Sequence, residues 1–226
     1  MSAELRDTAA VGYDPSETAL GVLAELRALA EHSPGRARID TWDFVRELGD
    51  RQDRDSLSLL FGAGTEPENL DGKLEGLIVG KLFGIPEARL ANPLMKIDPT
   101  WRGKSFDLAA GTGLNRLSPI AAVVMPIITF GYTGLRLVGR EMEGFHFDHG
   151  PSQGLIEPRV QVRALDYGVA EYKNPGVRTF PIRKTRDEIV ELVPGVYLGR
   201  ALLLTAAGGP RLIAYFALRH PVGSPL

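Results

Sequence analysis

Two carboxylates in the C-terminal half share faces with apolar residues. Along residues 159–167, strand alternation puts Arg159, Gln161, Arg163, Leu165 and Tyr167 on one face and Val160, Val162, Ala164 and Asp166 on the other. Along residues 187–193, Glu188 falls with Val190 and Leu192, whereas Asp187 and Glu191 fall with Ile189 and Val193. This reading directs Asp166 and Glu188 into an apolar interior. A buried carboxylate is costly unless paired or protonated. Its pKa can then rise into the range useful for general acid or base work, so both residues are candidates for catalysis. The alternative is that each pairs with an arginine, such as Arg183 or Arg186, and fixes strand register.

Tyr167, Tyr172, Tyr197 and Tyr215 lie on or near the same strands. In a barrel, Tyr167, Tyr197 and Tyr215 could line a pocket with their rings and orient a carbonyl with their hydroxyls, or simply pack. Gly111-Thr112-Gly113-Leu114-Asn115-Arg116 carries only half of a Gly-x-Gly-x-x-Gly pattern and has no βαβ unit around it, so a phosphate loop is not expected. Asn115 and Arg116 could instead orient a polar ligand group at a barrel mouth. Trp101 reads as a ligand-facing residue or core plug, with Lys104 solvated. His146-Phe147-Asp148-His149 is the local histidine cluster, but His at i and i+3 on a strand point to opposite faces, so no metal site is expected. No Walker A motif and no Gly-x-Ser-x-Gly elbow is present.

The elements that must position these groups divide the chain in two. Ser16 and Glu17 suit a helix start. Leu20, Val22, Leu23, Leu26, Leu29 and Ala30 follow at helical spacing, and Ser33-Pro34-Gly35 stops the run. A second helix is expected from Asp40 to Gly49, and a third from Asp53 through Phe61. Residues 1–14 are expected to be a disordered tail, 15–62 a helical segment packing on the main domain, and 63–226 that domain. Beyond the connector 62–69 the period changes. Strands are expected over residues 72–79, 101–106, 140–147, 159–167, 178–183, 187–193, 196–205 and 211–219, separated by turns such as Gly150-Pro151 and Pro194-Gly195. Residues 85–94 are ambiguous. Residues 118–130 read either as a buried helix kinked at Pro126 or as a strand broken there. A long meander of short strands hides its edges best by closing, so the expected class is mainly β: an antiparallel, lipocalin-like barrel with an N-terminal helical segment.

Composition narrows the function classes. Of 226 residues, 26 are Gly and 16 Pro, above the averages of roughly 7% and 5%, as many tight turns require. The 26 Lys and Arg against 28 Asp and Glu lack the basic footprint of a nucleic-acid binder. The absence of Cys excludes disulfides, thiolate metal sites and cysteine nucleophiles. Residues 1–15 hold Glu4, Asp7 and Asp14 and no apolar core, unlike a secretory signal, and no apolar run reaches the length of a spanning helix. A cytoplasmic location with no cofactor is the expectation.

Three stretches, Leu70-Asp71-Gly72-Lys73-Leu74-Glu75-Gly76, Trp101-Arg102-Gly103-Lys104-Ser105-Phe106 and the C-terminal series ending in Tyr215-Phe216-Ala217-Leu218-Arg219, together resemble the GXWXG-type β-barrel proteins of bacteria and fungi. The second is similar to that family's Trp-x-Gly-Lys-x-Phe; in the first, Leu74 stands in place of the naming tryptophan. The resemblance covers roughly residues 70–226 and implies a lipocalin-like barrel without an established activity. The expected partner is a small, largely apolar molecule such as a lipid, isoprenoid or polyketide, held in a barrel of about eight strands. The alternatives are a cofactor-independent cyclase or isomerase using Asp166 or Glu188, and a structural protein with a filled barrel.

Overall fold

The computed structural model describes residues 15–82, 100–129, 132–177, 181–205 and 209–224. The expected tail 1–14 and the ambiguous stretch 85–94 lie outside these.

Three helices come first: α1 (Pro15–His32), α2 (Pro34–Arg51) and α3 (Arg54–Ala63). α2 begins six residues before the expected Asp40, because Pro34 occupies its first turn, where a missing N–H costs nothing. Asp53 caps α3 as expected, accepting from the Ser56 backbone N–H at 3.0 Å.

Strands β1 (Gly72–Val79), β2 (Trp101–Asp107) and β3 (Thr112–Leu117) follow, then helix α4 (Ala121–Ile128) and the short strand β4 (Arg136–Val138). The remaining strands are β5 (Glu141–Gln153), β6 (Gln161–Asp166), β7 (Thr185–Val193), β8 (Val196–Thr205) and β9 (Gly209–Arg219). Every pairing is antiparallel. β1 joins β9, and β3 joins β5, so eight strands form a closed barrel with β4 added along β5.

Several local expectations are corrected. Residues 112–117, absent from the expected strands, form a strand whose alternate residues Gly113, Asn115 and Leu117 are buried. β5 runs through Gly150-Pro151 instead of turning there. Its pairing with β3 ends at Asp148, so beyond that point it has one ladder partner, and an edge position of this kind tolerates proline. Within residues 178–183 only 181–183 are described. Ile182–Lys184 is a 3-10 turn, closed by a Lys184 N–H to Pro181 carbonyl bond of 2.9 Å. Over residues 118–130 the helix is present, with Pro126 inside α4, but it is not buried as expected: Val123 and Ile127 are 67% and 71% exposed.

The barrel has two apolar faces. Its interior is lined by Leu74, Phe106, Leu117, Phe145, Phe147, Leu165, Ile189, Phe216 and Leu218 among others, and Ala121 and Met125 of α4 pack against them. The outer face of β1, β9, β8 and β7 carries Val79, Val190, Leu192, Leu198, Tyr215 and Ala217, covered by Leu23, Trp42, Val45, Leu57, Leu60 and Phe61 of the three helices. Arg27 of α1 ties the layers together, donating to the Leu192 and Ala63 carbonyls at 2.9 Å each.

Candidate functional site

Inside the barrel, four polar side chains from four strands or their ends meet among aromatic rings. Lys104 (β2), Asn115 (β3), Tyr167 (just after β6) and Asp187 (β7) are all buried, Lys104 and Tyr167 to 2% exposure. Lys104 Nζ donates to Tyr167 OH at 2.6 Å and Asn115 Oδ1 at 2.9 Å, and lies 2.9 Å from Asp187 Oδ2. Its three N–H groups are thereby used. The Tyr167 hydroxyl donates to Asp187 Oδ2 at 2.9 Å and accepts from Asn115 Nδ2 at 3.2 Å. Asn115 completes its set by accepting from Trp101 Nε1 at 2.9 Å and donating to the Phe145 carbonyl at 3.1 Å. The ammonium also sits 5.2 Å from the ring centres of Phe147 and Phe216, 5.3 Å from Tyr167 and 5.5 Å from Trp101, within cation–π range of each.

Backbone irregularities place two of these groups. In a regular strand Trp101 and Lys104, three apart, would face opposite ways. The β2–β3 register shifts between Trp101 and Gly103, and this bulge turns both side chains inward. Gly103 has φ +134, and a Cβ there would lie 2.1 Å from the Leu74 carbonyl oxygen, so only glycine fits. A second bulge interrupts the β3–β5 register opposite Gly113 and Asn115. There Phe145 takes φ +51, uncommon for a bulky residue, and its carbonyl accepts from the Asn115 amide.

The electrostatics follow from dryness. Burial pushes the Lys104 amine below its ordinary value, with Asp187 opposing that shift. Burial, with the Asp187 charge added, pushes the Tyr167 phenol well above its own. The site therefore holds an amine whose charged form burial disfavours and Asp187 favours, beside a phenol whose ionised form is disfavoured.

The residues singled out from the sequence separate into two groups. Trp101, Asn115, Tyr167 and Tyr197 face the interior; Tyr197 lies away from the polar cluster, its hydroxyl donating to the Asn69 carbonyl at 2.6 Å. Arg116 faces outward in a two-pronged pair with Glu141, both distances 2.8 Å. Tyr215 lies on the outer face beneath the helices. Asp166 is exposed at the end of β6, where it accepts from the Gly168 N–H at 2.7 Å. Glu188 is fully buried but points into the helical layer. Its Oε2 lies 2.8 Å from Arg200 Nη2 and its Oε1 3.2 Å from Arg186 Nε, and the Arg200 guanidinium stacks on Phe61 of α3 at 4.0 Å. Neither carboxylate enters the barrel. The pairing of Glu188 with Arg186, the alternative raised from sequence, is present.

The interior carboxylate is Asp187, and the expectation that Lys104 is solvated is overturned. One sequence signal pointed to Lys104: it stands two residues before Phe106, so strand alternation puts it on the face of that apolar ring. Among the described residues, no group of three or more His, Asp or Glu side chains is arranged to hold a metal ion. No helix among them is long and apolar enough to cross a membrane. Compared with protein-family models, curated proteins and solved structures, the chain matches none.

Proposed function

We propose that the barrel binds a small, largely apolar organic molecule and that the Lys104 cluster meets its one polar end, a carbonyl or carboxylate oxygen. The observation that carries this reading is a lysine–aspartate pair with a tyrosine and an asparagine, wholly enclosed by a barrel interior otherwise made of rings and aliphatic chains. A buried ion pair is seldom worth more to stability than well-packed apolar residues of the same volume. Donors fixed in a dry interior are suited to an oxygen-bearing ligand, because a partner there need not compete with water.

The test is native mass spectrometry of freshly purified protein, extraction of any bound molecule, and titration with cis-parinaric acid, a fluorescent polyene carboxylate. Removing one hydrogen bond to a charged group is worth about 1.5–3 kcal/mol, or roughly 10–100-fold in Kd. Tyr167→Phe should weaken binding by that order, and Asp166→Asn, outside the barrel, should leave it unchanged. Equal affinity in wild type and Tyr167→Phe, with no molecule co-purifying, would remove the basis for this reading.

A second reading draws on one distance set. Asp187 lies within 2.9 Å of both Lys104 and Tyr167, so a carboxylate base and two donors share one point. That arrangement could remove a proton next to a ligand carbonyl while the donors hold the developing enolate oxygen, as a cofactor-independent isomerase or cyclase requires. Asp187→Asn separates the two readings: it abolishes turnover in the second and spares binding in both.

A further inference from the structure

We propose that Lys104 captures the carbonyl carbon of an aldehyde or ketone ligand as an imine, with Asp187 as the counter-ion of the protonated product. This deepens the binding reading and rests on it.

The geometry supplies what the reaction needs. The Lys104 amine has a proton acceptor 2.9 Å away in Asp187 and a hydroxyl at 2.6 Å in Tyr167, which itself touches Asp187. Lysines desolvated in apolar pockets are the ones that serve as Schiff-base nucleophiles. Four rings surround the nitrogen, and an unsaturated carbonyl compound stacks favourably on such walls. Ala121 and Met125 of α4 pack against this interior cluster, and a methionine is an adaptable contact.

The steps balance. The Lys104 ammonium passes one proton to Asp187. The freed nitrogen pair forms the N–C bond as the carbonyl π pair moves to oxygen. A proton shifts from nitrogen to that oxygen, relayed by the Tyr167 hydroxyl, to give the carbinolamine. Asp187 then returns its proton to the carbinolamine hydroxyl, which leaves as water while the nitrogen pair forms the C=N bond. Overall, ammonium and carbonyl become iminium and one water. The charge inside the barrel is the same before and after, so the iminium inherits the lysine's place beside Asp187 and no new charge is buried. A dry interior also slows the reverse reaction, which consumes water.

The experiment incubates the full chain with cinnamaldehyde near neutral pH, reduces with cyanoborohydride and maps the adduct by peptide mass spectrometry. Reduction leaves the lysine heavier by the aldehyde less one oxygen atom. The expected result is labelling at Lys104 at least about tenfold above exposed Lys73, the advantage of a positioned reacting pair. Before reduction, a red-shifted absorbance of the protonated imine should appear. Lys104→Arg keeps the cation but cannot form an imine, and should lose both signals while retaining the far-ultraviolet circular dichroism of the folded chain. Labelling spread evenly over surface lysines, and unchanged in Lys104→Arg, overturns the proposal. Non-covalent retention of cinnamaldehyde or cis-parinaric acid without a trapped adduct also overturns it but leaves the binding reading standing. No binding of any kind overturns both.

Discussion

Replacing Lys104 with methionine isolates the energetics of the interior cluster. The substitution keeps the length of the side chain and leaves Asp187 buried, with Tyr167 as its remaining partner among the contacts described above. Breaking a buried ion pair by removing one member costs about 3–5 kcal/mol, because the other charge is left uncompensated. Against a total of about 5–15 kcal/mol for a typical domain, the variant should fold but be marginal. Asp187→Leu should cost less. Burial already lowers the Lys104 pKa, so a lysine without its counter-ion can shed its proton and remain buried as a neutral amine. In Lys104→Met/Asp187→Leu both charges are gone, and the remaining loss is the Tyr167 hydroxyl without its acceptor, about 1–3 kcal/mol. The double variant should therefore be more stable than Lys104→Met alone, with a coupling of at least about 2 kcal/mol in a double-mutant cycle. Urea unfolding followed by tryptophan fluorescence and circular dichroism measures all four proteins, and Trp101, hydrogen-bonded to Asn115, reports on the cluster directly. Additive single losses would refute the reasoning, since they would mean that Lys104 and Asp187 do not share one environment.

Two further outcomes follow from the same structure. Gly103→Ala should destabilise by at least about 3 kcal/mol, because strained backbone and a core clash act together there; a shift of less than one third of that in the urea midpoint would show that the bulge relaxes freely. Burial, with Arg163 adding to it, holds His149 below its ordinary value of 6.5, so as pH falls through 6.5 the unfolded chain takes up the proton first and stability drops. Glu141, held below 4.5 chiefly by its Arg116 hydrogen bond, adds a second loss as pH falls through and below 4.5. His149→Phe should lessen the dependence of the urea midpoint on pH from 6.5 downward, with His146, also held low by burial, keeping part of it, and leave the lower, Glu141-dependent part; an unchanged slope would refute the assignment.

The helical third and the barrel were legible because their periods differ. β1 and β8 occupy residues 72–79 and 196–205, as alternation and turn residues placed them. The site was less legible, for two physical reasons. Alternation assumes an unbroken strand: Lys104 shares the inward parity of Phe106, but the bulge before Gly103 breaks the count from Trp101, which faces inward as well. Alternation also separates two faces without saying which is inside. On β7 it correctly set Asp187 apart from Glu188, but both faces are apolar, one filling the barrel and the other lying under α1, α2 and α3. The richer apolar face, that of Val190 and Leu192, is the one the helices cover. The partners of these carboxylates, Lys104 and Arg200, lie too far along the chain for local spacing to reveal them.

That doubled burial explains why β7 carries two neighbouring acids at all. A strand with one wet face has its register set by hydrophobic alternation, since a slip of one residue would expose its core. β7 lacks that protection: a slip would exchange one apolar face for another at little cost in burial. Charge supplies the missing discrimination. Asp187 meets Lys104 inside at 2.9 Å, and Glu188 meets Arg200 outside at 2.8 Å. A slip of one residue would send Glu188 inward and place Ile189 against Arg200, leaving that buried guanidinium with only the partly exposed Glu157 as counter-charge. Unpaired buried charge is far more costly than a lost apolar contact. The outer pair, roofed by Phe61 of α3, needs no further role than this. The inner pair, joined to a tyrosine, an asparagine and four rings, contains more chemistry than register alone demands, and this surplus is the physical reason to seek the ligand there.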